Sequence, residues 1–99
     1  MALQVFISKR AAAQVQKCAS WWAENRLAAP GAVAEDVGTA IKLLSQQPGI
    51  GSKHEGTRMS DVRRLYLRRI GYFIYYSADS QKLRILAFWS AQRAAQPTI

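Results

Sequence analysis

Val62-Arg-Arg-Leu-Tyr-Leu-Arg-Arg-Ile70 is the stretch on which the fold turns, followed closely by Tyr72-Phe-Ile-Tyr-Tyr76 and Leu83-Arg-Ile-Leu-Ala-Phe-Trp89. Arginine and aromatic residues alternate there with aliphatics at strand period, not helix period. Gly71 supplies a first bend, and Ala78-Asp-Ser-Gln81 is a turn signal. The pattern predicts three strands in a meander, over Val62–Ile70, Tyr72–Ser77 and Lys82–Trp89. Face by face, Leu65 and Leu67 point to a core, with Arg63 and Arg69 at the margins. Arg64, Tyr66 and Arg68 point to the opposite side. Four arginines in one short strand (Arg63, Arg64, Arg68, Arg69) can be carried only at strand ends or on a face turned to solvent or to an acidic partner.

Working outward, Leu3–Ile7 reads as a short first strand with Val5 and Ile7 on one face. Ser8 is placed to cap a helix from Lys9 to Leu27, in which Ala11, Val15, Cys18 and Trp22 form one apolar stripe. Pro30-Gly31 breaks it. A second helix, Ala32–Gln46, carries Val33, Val37, Ile41 and Leu44 on its stripe, with Glu35 and Asp36 near its positive end. The short break predicts an antiparallel helical hairpin, with Gly38 allowing close approach of the two helices. Pro48-Gly-Ile-Gly-Ser52 ends the hairpin, and Ser52–Asp61 reads as a polar loop. Ser90–Ile99 reads as a tail with a frayed end. The order β-α-α-β-β-β predicts an α+β fold in which a helical hairpin covers one face of a small antiparallel sheet, leaving the other face partly open. Residues 1–99 are read as a single domain.

Composition narrows the functional classes. With 49% hydrophobic residues the chain is too apolar for intrinsic disorder. No apolar run approaches the roughly 20 residues that cross a bilayer, and the N-terminus lacks the pattern of a secretory signal. No membrane association is expected, and a reducing cytoplasm is the simplest compartment. One cysteine and one histidine leave no internal disulfide and no cysteine-based zinc site, so neither metal nor cofactor is implied. The net charge of +8, concentrated around the first meander strand, argues for an acidic partner.

Taken in order, the helical hairpin, the Pro48-Gly49-Ile50-Gly51 break, the Val62-Arg63-x-Leu65 strand start, Tyr72-Phe-Ile-Tyr-Tyr76 and the closing Leu83-Arg-Ile-Leu-Ala-Phe-Trp-Ser-Ala-Gln-Arg93 carry a resemblance. The chain resembles the ParE/RelE superfamily of bacterial toxins from type II toxin–antitoxin modules, over most of its length. RelE-like members are ribosome-dependent mRNA endonucleases that aim basic and tyrosine side chains at a scissile phosphate. Where such members offer an arginine after the first aromatic of the second meander strand, this chain has Phe73. No tyrosine or histidine follows Tyr76 to stand for their C-terminal catalytic residue. The departures fit the ParE branch, which inhibits DNA gyrase without being an enzyme. The alternatives left open are a RelE-type endonuclease and an inactive toxin that only binds its antitoxin.

The resemblance implies a ParD-like antitoxin with a folded DNA-binding part and a disordered segment that wraps the toxin. DNA would then be met only indirectly, through the antitoxin. Trp89, Ser90 and Arg93 stand where ParE-like chains carry a C-terminal segment implicated in toxicity, and are the candidates for target contact. Trp21, Arg64, Tyr66 and Arg68 are the candidates for antitoxin contact, by β-augmentation or as a groove for a helix. Trp21 and Trp22 are adjacent and cannot both face the core. His54, in a glycine-containing loop without a partner nearby in sequence, reads as a loop residue, and Cys18 as a small core residue. Tyr72, Tyr75 and Tyr76 could stack on bases but read first as strand residues packed in the core.

Overall fold

The computed structural model describes residues 2–93 and 95–99. In chain order the elements are β1 (Gln4–Ile7), α1 (Lys9–Asn25), α2 (Ala32–Gln46), a 3₁₀ turn (Pro48–Ile50), β2 (Ser52–Lys53), β3 (Arg63–Leu67), β4 (Tyr72–Ala78) and β5 (Lys82–Ser90). The expected α+β class and helical hairpin are present. The sheet is five-stranded and mixed, in the order β1-β5-β4-β3-β2. β1 runs parallel to β5, with Val5 opposite Leu83 and Ile7 opposite Ile85. The remaining pairs are antiparallel. A strand that enters a hairpin of two antiparallel helices and returns through a three-strand meander has only an outer edge left to join, and β1 takes the one beside β5.

Ser8 is where the sequence turns from strand to helix. Its Oγ accepts from the Ala11 N–H at 3.0 Å, capping α1, and donates to the Leu86 carbonyl at 3.1 Å. The same residue's N–H bonds to the Ile85 carbonyl. Further along α1, Gln14 Oε1 accepts from the Phe88 N–H at 2.8 Å. β1 ends at Ile7, so polar groups at the start of α1 take over the exposed edge of β5.

The main core lies between the hairpin and the sheet. Ala11 and Cys18 from α1 meet Val33, Val37, Ala40 and Leu44 from α2, and Ile74, Tyr76, Leu83, Ile85 and Phe88 from the sheet. Leu44 is fully buried, a side chain whose burial contributes about 1.5–3 kcal/mol. Tyr76 belongs to this core, whereas its neighbour Tyr75 points to the other face and is equally buried. A register shift at this point pairs Tyr75 with Ala87 but Tyr76 with Ile85, leaving Leu86 as the extra residue of a bulge.

Several expectations are corrected here. Ser52–Lys53 is not simply loop. It pairs with Arg63 and Arg64 as a fifth strand, too short and too polar to show a period of two. Gly38 has open space where a Cβ would stand, so it does not mediate close helix packing. The arginines do not share one strand, because β3 ends at Leu67 and Arg68 and Arg69 lie in the following turn. Gly71 closes that turn at φ +72°, a conformation open to glycine. Val5, Phe6 and Ile7 remain 36–49% exposed, because β1 is an edge strand.

The largest correction concerns the second face of the sheet and the tail. Residues 95–99 lie across that face. The Tyr75 hydroxyl donates to Gln96 Oε1 at 2.9 Å, the Trp89 Nε1–H donates to the Ala95 carbonyl at 2.8 Å, and Arg10 donates to the Thr98 carbonyl. The Arg58 N–H bonds to the Ile99 carbonyl. Pro97 is buried, and Ile99 packs on a second cluster built from Val62, Tyr75 and Ala87. The face expected to stay open is partly roofed, and the segment expected to fray is pinned.

Candidate functional site

The four arginines around β3 divide into two that hold the fold and two that do not. Arg63 donates to the carbonyls of Gly49 at 3.2 Å and Gly51 at 2.7 Å, fastening the 3₁₀ turn to β3. Arg69 forks onto Asp36 through its Nε (3.0 Å) and Nη2 (2.6 Å), and Nη2 also reaches the Ala32 carbonyl. The hydrogen bond to Asp36 holds the Arg69 guanidinium even more firmly protonated than usual. It ties the β3–β4 turn to the first turns of α2.

Arg64 lies on the second face of the sheet. Its guanidinium sits 4.2 Å from the Phe73 ring centroid and 3.4 Å from the Tyr75 hydroxyl. Tyr66, exposed at 46%, leans on the same Phe73. His54 meets the Tyr75 ring edge-on at 5.0 Å. Partial burial first, and then the positive charge of Arg64, lower the His54 pKa below its ordinary value, so its imidazole is neutral at pH 7. Arg68 is exposed in the turn after β3 and lines, with Tyr66, Asp36, Leu43, Leu65 and Leu67, a shallow groove between α2 and β3. The strand ends one residue earlier, and the alternation ends with it.

A cleft opens at the other end of the sheet, between the C-terminal half of α1 and the end of β5. One lobe, ≈ 310 Å³, is bounded by Trp21, Trp22, Arg26, Tyr72, Ser90 and Gln92. An adjoining lobe, ≈ 170 Å³, adds Lys17, Trp89 and Arg93, and shares Trp21, Tyr72 and Ser90 with the first. Trp22 is half-buried while Trp21 is 48% exposed, the two rings meeting edge to face. The Arg26 guanidinium lies 4.8 Å from the Trp21 ring centroid, and that of Arg93 lies 4.2 Å from Trp89. Ser90 Oγ accepts from the Gln92 N–H, and the Ser90 carbonyl from the Arg93 N–H, so β5 ends in a tight turn that points Arg93 back over Trp89. Cys18 and Tyr72 form the floor. Burial pushes both pKa values up, leaving an inert thiol and a neutral phenol.

Trp21 and the Trp89–Arg93 segment, assigned to different roles by sequence, therefore share one cleft. Arg64 and Tyr66 both lie against Phe73 on the second sheet face, and Arg68 shares with Tyr66 the groove between α2 and β3. Arg10, Lys17 and Arg26, which complete the positive charge around the cleft and Trp89, were not singled out by sequence. They are scattered from the first turn of α1 to the residue that follows it, without forming a run. Among the described residues no three of His, Cys, Asp and Glu cluster as a metal site, and no helix is long and apolar enough to cross a membrane.

The family model for the ParE toxin of the type II toxin–antitoxin system parDE matches residues 5–95. The chain belongs to the ParE toxin family. No curated protein matches it. Among solved structures, the chromosomal ParDE toxin–antitoxin system from P. aeruginosa matches with a TM-score of 0.72 at 19% identity, over 92% of this chain and 98% of that one. At that identity the likeness speaks for the fold alone. It places this chain in the same fold, and the cleft residues Lys17 to Arg93 lie within the span of the family match.

Proposed function

We propose that this chain is the toxin of a type II toxin–antitoxin module, that it acts in the cytoplasm by inhibiting DNA gyrase, and that a ParD-like antitoxin neutralises it. The observation that carries the reading is the family match over residues 5–95. Inhibition needs a contact surface and not a reaction. The cleft offers exposed aromatic and basic side chains, with no acid among the described residues that line it. Trp89, Ser90 and Arg93 would meet the target there, and Trp21 would contact the antitoxin at the same mouth. Arg64, Tyr66 and Arg68 would be met by the remainder of the antitoxin, which would carry any contact with DNA.

A second reading, a ribosome-dependent endoribonuclease, is favoured by one observation: His54, Arg64 and Tyr75 converge on the second sheet face. Against it, Phe73 stands in place of an arginine, and the Tyr75 hydroxyl is committed to Gln96 under the C-terminal segment. The test is to place antitoxin-free protein in a gyrase supercoiling assay and in a translation assay with mRNA cuts mapped. Gyrase inhibition with intact mRNA supports the proposal. Cuts positioned by codon, with gyrase unaffected, support the second reading.

A further inference from the structure

Under the helical hairpin lies a cavity of ≈ 220 Å³, separated from the cleft by Phe88. Ile74 and Ile85 of the sheet form its floor, and Val15 of α1 and Val37 of α2 its walls. Ile7 and Gln16, both exposed, stand at its mouth. Its origin is in the sequence of α1, whose inward stripe of Ala11, Val15 and Cys18 is too short in reach to fill the angle between β1 and α2. Close-packed interiors hold few spaces larger than a water molecule. Among the described residues that line this one, Gln16 alone has a polar side chain. A buried water needs about two to four polar partners, and an apolar cavity of about 150 Å³ takes up benzene. The larger volume here admits a ring with a short alkyl group or a fused second ring. No charged side chain lines it, so an ion would lose its hydration without compensation. One turn along from Gln16 and Ile41 stand Ser20 and Gly38, with Lys42 beside them, all exposed. No apolar stripe therefore continues along the helices from the mouth for a partner helix to cover.

We propose that this cavity is a binding site for a small, uncharged aromatic molecule of one or two rings, whose polar atom, where it has one, faces Gln16. The ligand enters past Ile7, which is 49% exposed on the edge strand, so binding needs no unfolding of the hairpin. The site is independent of the cleft and stands whether or not gyrase is the target.

The isoleucines report on it directly. Ile7, Ile41, Ile74 and Ile85 line the cavity, whereas Ile50, Ile70 and Ile99 do not. Full-length protein, isotopically labelled at its isoleucine methyl groups, is titrated with toluene, with indole and with benzoate, a charged ring of similar size. Toluene and indole are expected to move the methyl signals of the four lining isoleucines and to leave the other three in place. At about tenfold above the dissociation constant they should also raise the melting temperature by about 5 °C or more. Benzoate should do neither. Val15→Phe sets a ring inside the cavity and should weaken toluene at least about tenfold. Ala13→Phe, which adds the same ring on exposed α1 surface, should leave binding unchanged. Where Val15→Phe does not fold, the methyl map of the wild type decides alone. Signals unmoved by toluene and indole, shifts spread equally to Ile50 and Ile70, or benzoate binding as well as toluene would each overturn the site. Exposed Val5 and Ile7 would also allow a second copy over β1. Toluene binding that weakens as protein concentration rises would assign the cavity to that copy and overturn the small-molecule site.

Discussion

Replacing Tyr76 with phenylalanine removes one oxygen atom from the core, and that oxygen has two partners. It donates to the Pro48 carbonyl at 2.7 Å and accepts from the Gly51 N–H at 2.9 Å. Tyr76→Phe leaves both backbone groups unsatisfied and is expected to cost about 1–3 kcal/mol, measured by urea unfolding with an unchanged slope. Gly51 is required beside it, since a Cβ would lie 2.4 Å from that hydroxyl and 2.9 Å from the Arg64 carbonyl oxygen. Gly38 has no such neighbour, so Gly38→Ala is expected to stabilise the protein by about 1 kcal/mol in the same assay. His54 gives the pH dependence. Its folded pKa is lowered, so as pH falls the unfolded chain takes up the proton first. The contribution of the neutral imidazole is complete above the ordinary histidine value of about 6.5 and is lost as pH drops through the folded value. Melting temperatures recorded from neutral pH to about pH 5 should fall, and His54→Gln should remove part of that slope. Of these features sequence showed Tyr76 as a strand aromatic, but not its partners, which are 25 and 28 positions away.

At the scale of elements, both helices were legible because each carries its own signal: a cap at Ser8 or a break at Pro30-Gly31, and an apolar stripe. Ser8→Ala removes the cap of α1 and is expected to cost about 1 kcal/mol, or more because the Leu86 carbonyl also loses a donor. The meander was legible for the same reason. β2 and the C-terminal segment were not, because neither has a local pattern. Residues 95–99 are held by Arg10, Arg58, Tyr75 and Trp89, all distant in sequence or on another element. Deleting residues 95–99 uncovers Val62, Tyr75 and Ala87. It is expected to cost about 1–2 kcal/mol and to raise hydrogen exchange along β3 and β4 selectively. If exchange there is unchanged, the segment does not cover the sheet in solution. Charge on β3 was legible, whereas its division was not. Arg63 and Arg69 are consumed by the 3₁₀ turn and by α2, which a face-by-face reading of one strand cannot reveal.

Over the whole molecule, the positive charge acquires a shape. Fourteen lysines and arginines against six acids give +8, and the ion pairs among the described residues sit at the β3–β4 turn and the β4–β5 turn. The cleft at the end of β5 keeps its cations free beside exposed tryptophan, a combination that favours rapid capture of an acidic surface. Sequence named Trp21 and Trp89, Ser90 and Arg93 separately, because α1 and β5 are joined only through the fold. We propose that the toxin meets gyrase at this cleft. The measurement that tests it most directly is supercoiling inhibition by antitoxin-free wild type, Arg93→Glu and Lys42→Glu at matched concentration. Wild type and Lys42→Glu are expected to inhibit, and Arg93→Glu to lose at least about tenfold in potency. Equal potency for Arg93→Glu and wild type, or gyrase unaffected by all three, would contradict it.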